Sequence, residues 1–515
     1  MMLMLTRGVQ SMHPLAAAAA PSATTSGLLT PIAMIATRAA PAVAAAQSKR
    51  TASRVSSGRM KAISDNPSSL TGGLLRRHFS STAIAQASST SSSSSASAQG
   101  AVPSVCDVLI LGGGVVGSST AYFTSSRFQP RAPGQPPAAI AQSSSASNPR
   151  VVVIEPDSSY ASGATARSAG SIRLQFSTPE NVLISQFGAH FLKNLNSYLK
   201  VDDDIDFKLH EKGYLFLATK ASAGVLASNS AIQNSLGAKT LLLTPEAIRE
   251  RFPYIHTEDL DSGALGLENE GWFDPYLLMT LFRRKAIQQG VQYVTGYAID
   301  FKKDSTGRRV ERVVVRLADG SVTEIGVRSN VVNASGIVGA SLTAKLDPSF
   351  DLPVRPRKRF VYVLSLKERL PDNCPLVIDP SGAYFRPEGQ QYICGMSPPE
   401  NEDPDCTDLE VDYSMFENTV WPILASRVPA FEYAKCVNAW AGHYDYNTFD
   451  QNVILGPHPN VSNFLLCNGF SGHGLQQSPQ SGGRSASSLL TQSSLRSTWL
   501  DCLLIDSSTT CLFSK

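Results

Sequence analysis

The run Cys106-Asp107-Val108-Leu109-Ile110-Leu111 leads without a break into Gly112-Gly113-Gly114-Val115-Val116-Gly117, then into Ser118-Ser119-Thr120-Ala121-Tyr122-Phe123. The first stretch has the branched, nearly continuous apolar pattern of a parallel strand buried on both faces. The last is able to begin a helix. Between them stands G-x-G-x-x-G, whose glycines serve a tight turn, close backbone approach to a pyrophosphate, and close helix–strand packing. The helix N-terminus adds free N–H groups and the positive end of a dipole. Glycine-rich turns are common, so the context decides: a second strand should follow, ending in an acid for a ribose. Val151-Val152-Val153-Ile154-Glu155 is that strand and acid. Glu155 comes at about twice the usual spacing of roughly 20 residues. The excess is residues 129–150, a Pro/Ala/Ser segment without periodicity that reads as an inserted surface loop. Gly112, Gly114, Val115, Val116, Gly117 and Glu155 are therefore predicted to bind a dinucleotide.

At 515 residues the chain is long enough for two lobes. The net charge of +3 conceals an asymmetry. Residues 1–79 carry nine Lys/Arg against Asp65 alone, which leaves a mildly acidic body and no call for a nucleic-acid partner. This Ala-, Ser- and Arg-rich leader has the composition of a mitochondrial transit peptide, with Arg77-His78-Phe79-Ser80 as a processing site. A plastid leader and a disordered cytosolic N-terminus are the rival readings. Residues 80–103 read as a disordered Ser-rich spacer. No run of about 18 apolar residues suggests a transmembrane helix. The eight cysteines are scattered and form no Cys-x-x-Cys pair, so no metal site is expected.

After Glu155 the chain offers Ser162-Gly163-Ala164-Thr165-Ala166-Arg167-Ser168-Ala169-Gly170, a small-residue loop able to pass close to a flat cofactor. Further strings follow: Gly213–Ala218, Glu270-Gly271-Trp272-Phe273-Asp274-Pro275, Val331–Gly336, Trp440–Asp450, and Gly469-Phe470-Ser471-Gly472-His473-Gly474. Together they resemble the D-amino-acid-oxidase-like flavoenzymes, which include sarcosine and dimethylglycine dehydrogenases and glycine oxidase. The resemblance implies FAD as cofactor, with Arg167, Ser168, Gly336, Gly472, His473 and Gly474 beside it. It also implies an α/β, two-lobed flavoprotein: a doubly wound FAD-binding lobe built from residues 104–205, 275–345 and 438–477, and a sheet-rich α+β substrate lobe from 206–274 and 346–437. The longer strings Leu174–Asn181, Asn269–Pro275, Tyr444–Asn452 and Phe470–Gln477 resemble a mitochondrial branch of the family. For that branch the resemblance implies work on assembly or maintenance of respiratory complex I, with its assembly intermediates as partners. The alternative it implies is a dehydrogenase or oxidase of a small secondary amine or amino acid such as sarcosine.

Relatives that tether FAD use a histidine at the place of Arg167, or a cysteine in a segment matching Trp440–Gly456, which has none. Non-covalent FAD is expected. A lysine that holds substrate carboxylate in sarcosine oxidases corresponds to Gln476, which cannot supply a full charge-assisted pair. The catalytic candidates are Arg173, to stabilise negative charge on reduced flavin, and His473, near the ring. Tyr384 and Arg386 alternate suitably on a strand to face a substrate. Each has a second reading: His473 as a loop hydrogen-bonder, Arg386 as a surface charge, Tyr384 as strand packing, and Arg173 without a role at the flavin. Beyond Gln477, Ser478-Pro479-Gln480-Ser481-Gly482-Gly483-Arg484 breaks periodicity where a closing helix belongs. Residues 478–515 are thus expected to be an atypical tail, either a substituted ending or a native one with a short helix around Ala486–Leu495.

Overall fold

The computed structural model describes residues 102–126 and 149–490. The expected leader, nearly all of the spacer and insertion, and the last 25 residues lie outside them. From the amino end run β1 (Val105–Leu111), α1 (Val115–Ser125), β2 (Val151–Glu155), β3 (Ser171–Ile172), α2 (Pro179–Lys193) and α3 (Leu195–Leu199). A first excursion holds β4 (Tyr214–Ala218), α4 (Ala223–Ser235), β5 (Thr240–Leu243), α5 (Pro245–Arg251), β6 (Ser262–Gly266) and β7 (Gly271–Trp272). The chain returns through α6 (Pro275–Gln288), β8 (Gln292–Lys303), β9 (Val310–Leu317), β10 (Val322–Asn333) and α7 (Gly339–Leu346). A second excursion holds β11 (Val354–Ser365), β12 (Leu376–Ile378), β13 (Tyr384–Glu388), β14 (Gln391–Gly395), α8 (Tyr413–Met415), α9 (Trp421–Arg427) and β15 (Lys435–Asn447). Last come β16 (Ile454–Pro457), β17 (Phe464–Asn468) and α10 (Gly474–Leu490).

Two large sheets organise most of these elements, and β3 and β7 form a separate antiparallel pair. The seven-stranded sheet has order β1-β2-β8-β9-β10-β17-β16, with β1 also paired to β10. Strands β2, β1, β10 and β17 run parallel at its centre. Their apolar runs are explained by burial on both faces: Ile110, Val153 and Val332 pack under α1, α2, α6 and α10, while Leu109, Val152 and Val331 face the other way. That other face is covered by α7 and by the antiparallel β8–β9–β10 meander, so its cover is part sheet rather than helix throughout. The eight-stranded sheet has order β15-β11-β14-β13-β12-β4-β6-β5. One face carries Leu215, Tyr362, Phe385 and Cys394 beneath α9. The opposite face carries Tyr214, Phe216, Val361 and Ile393, with Trp272 and Ala169 against it.

Two expected boundaries move. β15 pairs with β11 along its whole length, from Ser365↔Lys435 to Val354↔Asn447, so the substrate-lobe segment extends to Asn447 rather than 437. The helix that residues 478 onward seemed to lack is present as α10, which packs against α1. Its sequence hid it because the contact needs small residues. Ser119 Oγ donates to Ser478 O at 2.8 Å, and a Cβ on Gly482 would lie 2.3 Å from Ser119 Oγ. Pro479 has no N–H for the carbonyl of Leu475, and Ser478 Oγ donates to that carbonyl instead at 3.0 Å. Gly482→Val should therefore cost about 1–3 kcal/mol of stability through overpacking. Urea unfolding of the full chain checks this, and an unchanged midpoint would contradict the α1–α10 contact.

Candidate functional site

The turn after β1 closes as its glycines require. Gly112 has φ of +96°, and a Cβ there would lie 2.5 Å from Ala334 O, just past the end of β10. A Cβ on Gly117 would lie 1.9 Å from Gly112 O, so α1 can approach the strand only without one. Gly114 is the N-cap of α1 and has no side chain to satisfy the first-turn N–H groups. Val115 N donates to Thr165 Oγ1 at 3.1 Å, which leaves the turn of Val116 and Gly117 at the helix's positive end. At the end of β2, Glu155 accepts from Gly113 N at 2.6 Å and from Asp157 N at 3.0 Å. Burial raises its pKa, and these two N–H groups oppose the rise. All six predicted dinucleotide residues are thus gathered at one end of the parallel strands. Gly336, at φ of +57°, follows β10 beside them.

Two loops meet where the dinucleotide's far end would extend. In the first, Arg167 donates from Nε to Ala161 O at 2.8 Å and from Nη1 to Ala441 O at 3.0 Å. Trp440 Nε1 returns a bond to Arg167 O at 2.9 Å, and Ser168 Oγ accepts from Gly170 N at 3.1 Å. Arg167 therefore stitches the loop to β15. In the second, Ser471 holds φ of +52°, and a Cβ on Gly472 would lie 2.4 Å from the Tyr444 ring. Asp445 accepts from Gly469 N at 2.8 Å, and Asn447 N donates to Ser471 Oγ at 3.0 Å. These bonds hold the strained backbone in place. His473 and Gly474 open α10 at the end of this loop.

Arg173 and His473 come together: Arg173 Nη2 lies 3.1 Å from His473 Nε2. A guanidinium only donates, so Nε2 accepts and the imidazole proton sits on Nδ1. Burial and the neighbouring Arg173 push the imidazole down to about 3, so His473 is neutral at physiological pH. Arg173 is buried, with its guanidinium 4.1 Å from the Phe176 ring and 5.4 Å from that of Phe216. Its Nη1 donates to Gln175 O. Desolvation lowers its pKa, yet a guanidinium stays charged. The nearby carboxyl of Glu270 is turned to Leu174 N at 2.7 Å and Gln175 Nε2 at 2.9 Å instead.

Tyr384 and Arg386 share one face of β13, as alternation requires. Tyr384 lies across Gly395, where a Cβ would come within 2.9 Å of its hydroxyl, and burial raises its pKa so that it stays a phenol. Arg386 is buried, and both terminal nitrogens are engaged while its Nε has no hydrogen-bond partner among the described residues. It donates to Pro387 O at 2.8 Å, pairs with Glu388, donates to Ala169 O, and lies 5.2 Å from the Trp272 ring. It clamps the first loop to the substrate lobe rather than standing as a surface charge. Gln476 is also spoken for: its Oε1 accepts from Arg173 N at 2.8 Å, and Nε2 donates to Ser185 Oγ at 3.3 Å. The side chain therefore braces β3 against α2 and α10. Sequence reasoning missed Thr165, Glu270 and Asp445 as positioning groups. All three stood inside strings already singled out, but only the tertiary contact shows that their side chains bind backbone N–H groups.

Desolvation raises Glu270 to about 7 and Asp445 to about 6. The folded chain therefore holds these protons more tightly than the unfolded chain. Between about pH 4 and 7 both groups lower stability as pH rises, and above that window the effect is constant. Glu270→Gln should become more stable relative to the parent as pH is raised from 5 to 7.5, by on the order of 1–3 kcal/mol. Denaturation midpoints at the two pH values read this, and parallel curves would contradict it. Gly117→Val should abolish bound flavin, because its side chain would occupy the space of Gly112 O. Absorbance per purified chain tests that, and a full flavin complement would contradict the turn's role.

The glycine cradle, the Glu155 carboxylate and the two loops fit an FAD molecule along the ends of the strands. Residues 107–487 match the family model described as FAD dependent oxidoreductase. The chain is 42% identical over 405 residues to FAD-dependent oxidoreductase domain-containing protein 1 of Xenopus laevis, covering 74% of this chain and 78% of that protein. Among solved structures it is similar to L-proline dehydrogenase from P. horikoshii, with TM-score 0.62 and 24% identity over 75% of this chain and 93% of that one. Glycine oxidase from Geobacillus kaustophilus gives TM-score 0.61 and 22% identity over 76% and 96%. With its turn, its two lobes and its matched span, the chain belongs to the FAD dependent oxidoreductase family and is an FAD-binding enzyme.

Proposed function

We propose that the chain binds FAD non-covalently and oxidises a small amine or amino acid at the carbon beside nitrogen. The observation that carries this reading is Arg173, a buried cation whose guanidinium contacts a neutral imidazole, a carbonyl and two aromatic rings. Such a charge favours an anion in its neighbourhood. Bound FAD supplies the acceptor for the hydride. Arg173 offsets negative charge that develops there, and His473 keeps its guanidinium in place by accepting from it. Tyr384 and Tyr444, both raised by burial, remain phenols able to donate. Neither they nor neutral His473 serves as a base near pH 7, and the carboxyls of Glu270 and Asp445 are taken up by Leu174 N, Gln175 Nε2 and Gly469 N, so the substrate amine reacts in its unprotonated form. The two solved neighbours are named L-proline dehydrogenase and glycine oxidase, and the amino-acid substrates in those names agree with the substrate class. Arg167 at the position of the family's tethering histidine supports the non-covalent cofactor.

A second reading concerns the physiological setting: a mitochondrial protein that helps assemble or maintain respiratory complex I. The basic, acid-poor leader and the four long strings support it. The consumption of Gln476 and Arg386 in structural bonds also favours a cofactor with a structural duty.

Acid precipitation should release all flavin into the supernatant. Anaerobic additions of sarcosine and related amines should bleach the absorbance at rates that rise with pH toward each amine's own pKa. Flavin retained in the precipitate would refute the non-covalent link, and a pH limb common to amines of different pKa would refute the absence of a protein base. Comigration of imported protein with complex I intermediates supports the second reading; exclusion from mitochondria contradicts it.

A further inference from the structure

β11 carries three consecutive cations, Arg357, Lys358 and Arg359, beside an acidic segment running from Ser397 to Asp412. This strap takes the edge of β11 where β14 leaves it. Cys406 N donates to Pro356 O at 2.9 Å, and Arg357 bridges Asp405. Lys358 Nζ lies 2.7 Å from Asp408 Oδ1. Arg359 is only 9% exposed and is gripped by both oxygens of Asp403, at 2.8 and 2.7 Å, while Arg357 Nε stands farther from Asp403 Oδ2, at 3.7 Å.

The register shows which way Arg359 faces. Cross-strand partners share a face, and Arg359 pairs with Gly442 while Val361 pairs with Trp440. Gly442 lies against Arg167, with a Cβ there 3.2 Å from Arg167 Cβ, and Trp440 bonds Arg167 O. Arg359 therefore stands on the face that carries the flavin loop. Its guanidinium lies 5.2 Å from the Tyr444 ring, which in turn packs on Gly472 of the second loop. Its Nε is buried and has no hydrogen-bond partner among the described residues.

We propose that Arg359 is an anchor for the carboxylate of the substrate, and that Asp403 holds this place until a ligand carboxylate displaces it. The inference rests on the amine-oxidation reading and names the residue that selects acidic amines within it. Asp403 presents the same bidentate geometry as an incoming carboxylate, and the free Nε offers that ligand a bond that Asp403 leaves unmade. The strap's remaining ion pairs, to Arg357 and Lys358, keep it attached when Asp403 lets go. An anchor occupied by its own latch binds more weakly in proportion to the time the latch is shut.

The test is a titration of the FAD-loaded full chain with acetate and propionate, read by perturbation of the flavin spectrum. These probes cannot be oxidised, so their binding is scored apart from amine turnover; failure of the oxidation reading appears in amine bleaching alone. Asp403→Asn should bind the probes on the order of tenfold more tightly. Arg359→Gln should lose that binding, and Arg359→Lys should recover part of it. Asp405→Asn, which leaves Asp403 and Arg359 paired, should match the parent. Should Arg359→Gln fail to retain flavin, Asp403→Asn still decides. Unchanged probe affinity in Asp403→Asn, or parental affinity in a flavin-loaded Arg359→Gln, overturns the proposal.

Discussion

Three chain segments cross at Gly112 at distances that no side chain tolerates. The end of β1 passes under the carbonyl of Ala334, α1 starts against the carbonyl of Gly112, and Glu155 reaches back to Gly113 N. This crossing fixes the relation of β1, β10 and α1, and so fixes where the parallel sheet presents its helix dipole. It also explains why the sheet's first helix is buried along nearly its whole length. α10 closes the same layer with serine and glycine at the contact, where a larger residue would push the helices apart.

The seam between the sheets is built differently, from hydrogen bonds made by buried polar side chains. Arg167 joins the first loop to β15, and Arg386 joins the same loop to β13. Asp445 holds the second loop, and Glu270 holds the backbone that carries Arg173. Each of these groups is costly to bury unless its partners are in place. The seam is therefore rigid in the geometry that satisfies them, and small shifts of either loop would leave charges without partners. Such preorganisation suits a site that works by fixed charge and orientation while the cofactor carries the redox chemistry.

Much of this was legible in residue pattern. β2 falls where Val151–Glu155 predicts it, and Asp274 caps α6 from Leu277 N, as the Asp-Pro pair suggests. The tight glycine turn and the acid that closes on it were legible because backbone constraints leave glycine and a terminal acid as local marks. α10 was not, since its small residues answer to α1 and look like a linker when read alone. The true extent of β15 was hidden for a similar reason: its partner β11 lies some 80 residues earlier, and pairing leaves no local mark. Gln476 and Arg386 could be placed on the correct elements, yet their hydrogen-bond partners come from β3 and the first loop. The latch of Arg359 by Asp403 had a faint sign, a basic run in a strand and an acidic run after it. Which acid meets which cation depends on the route of the strap.

The account stands on FAD lying across the turn with its ring between the two loops. A crystal structure of the FAD-loaded protein tests this most directly. The expected result is pyrophosphate density over Gly112–Gly117, ribose at Glu155, and the ring bounded by Arg167–Arg173 on one side and Ser471–Gly474 on the other, with no covalent link to either. Density for the ring away from Arg173 and His473, or a phosphate outside the turn, would contradict it.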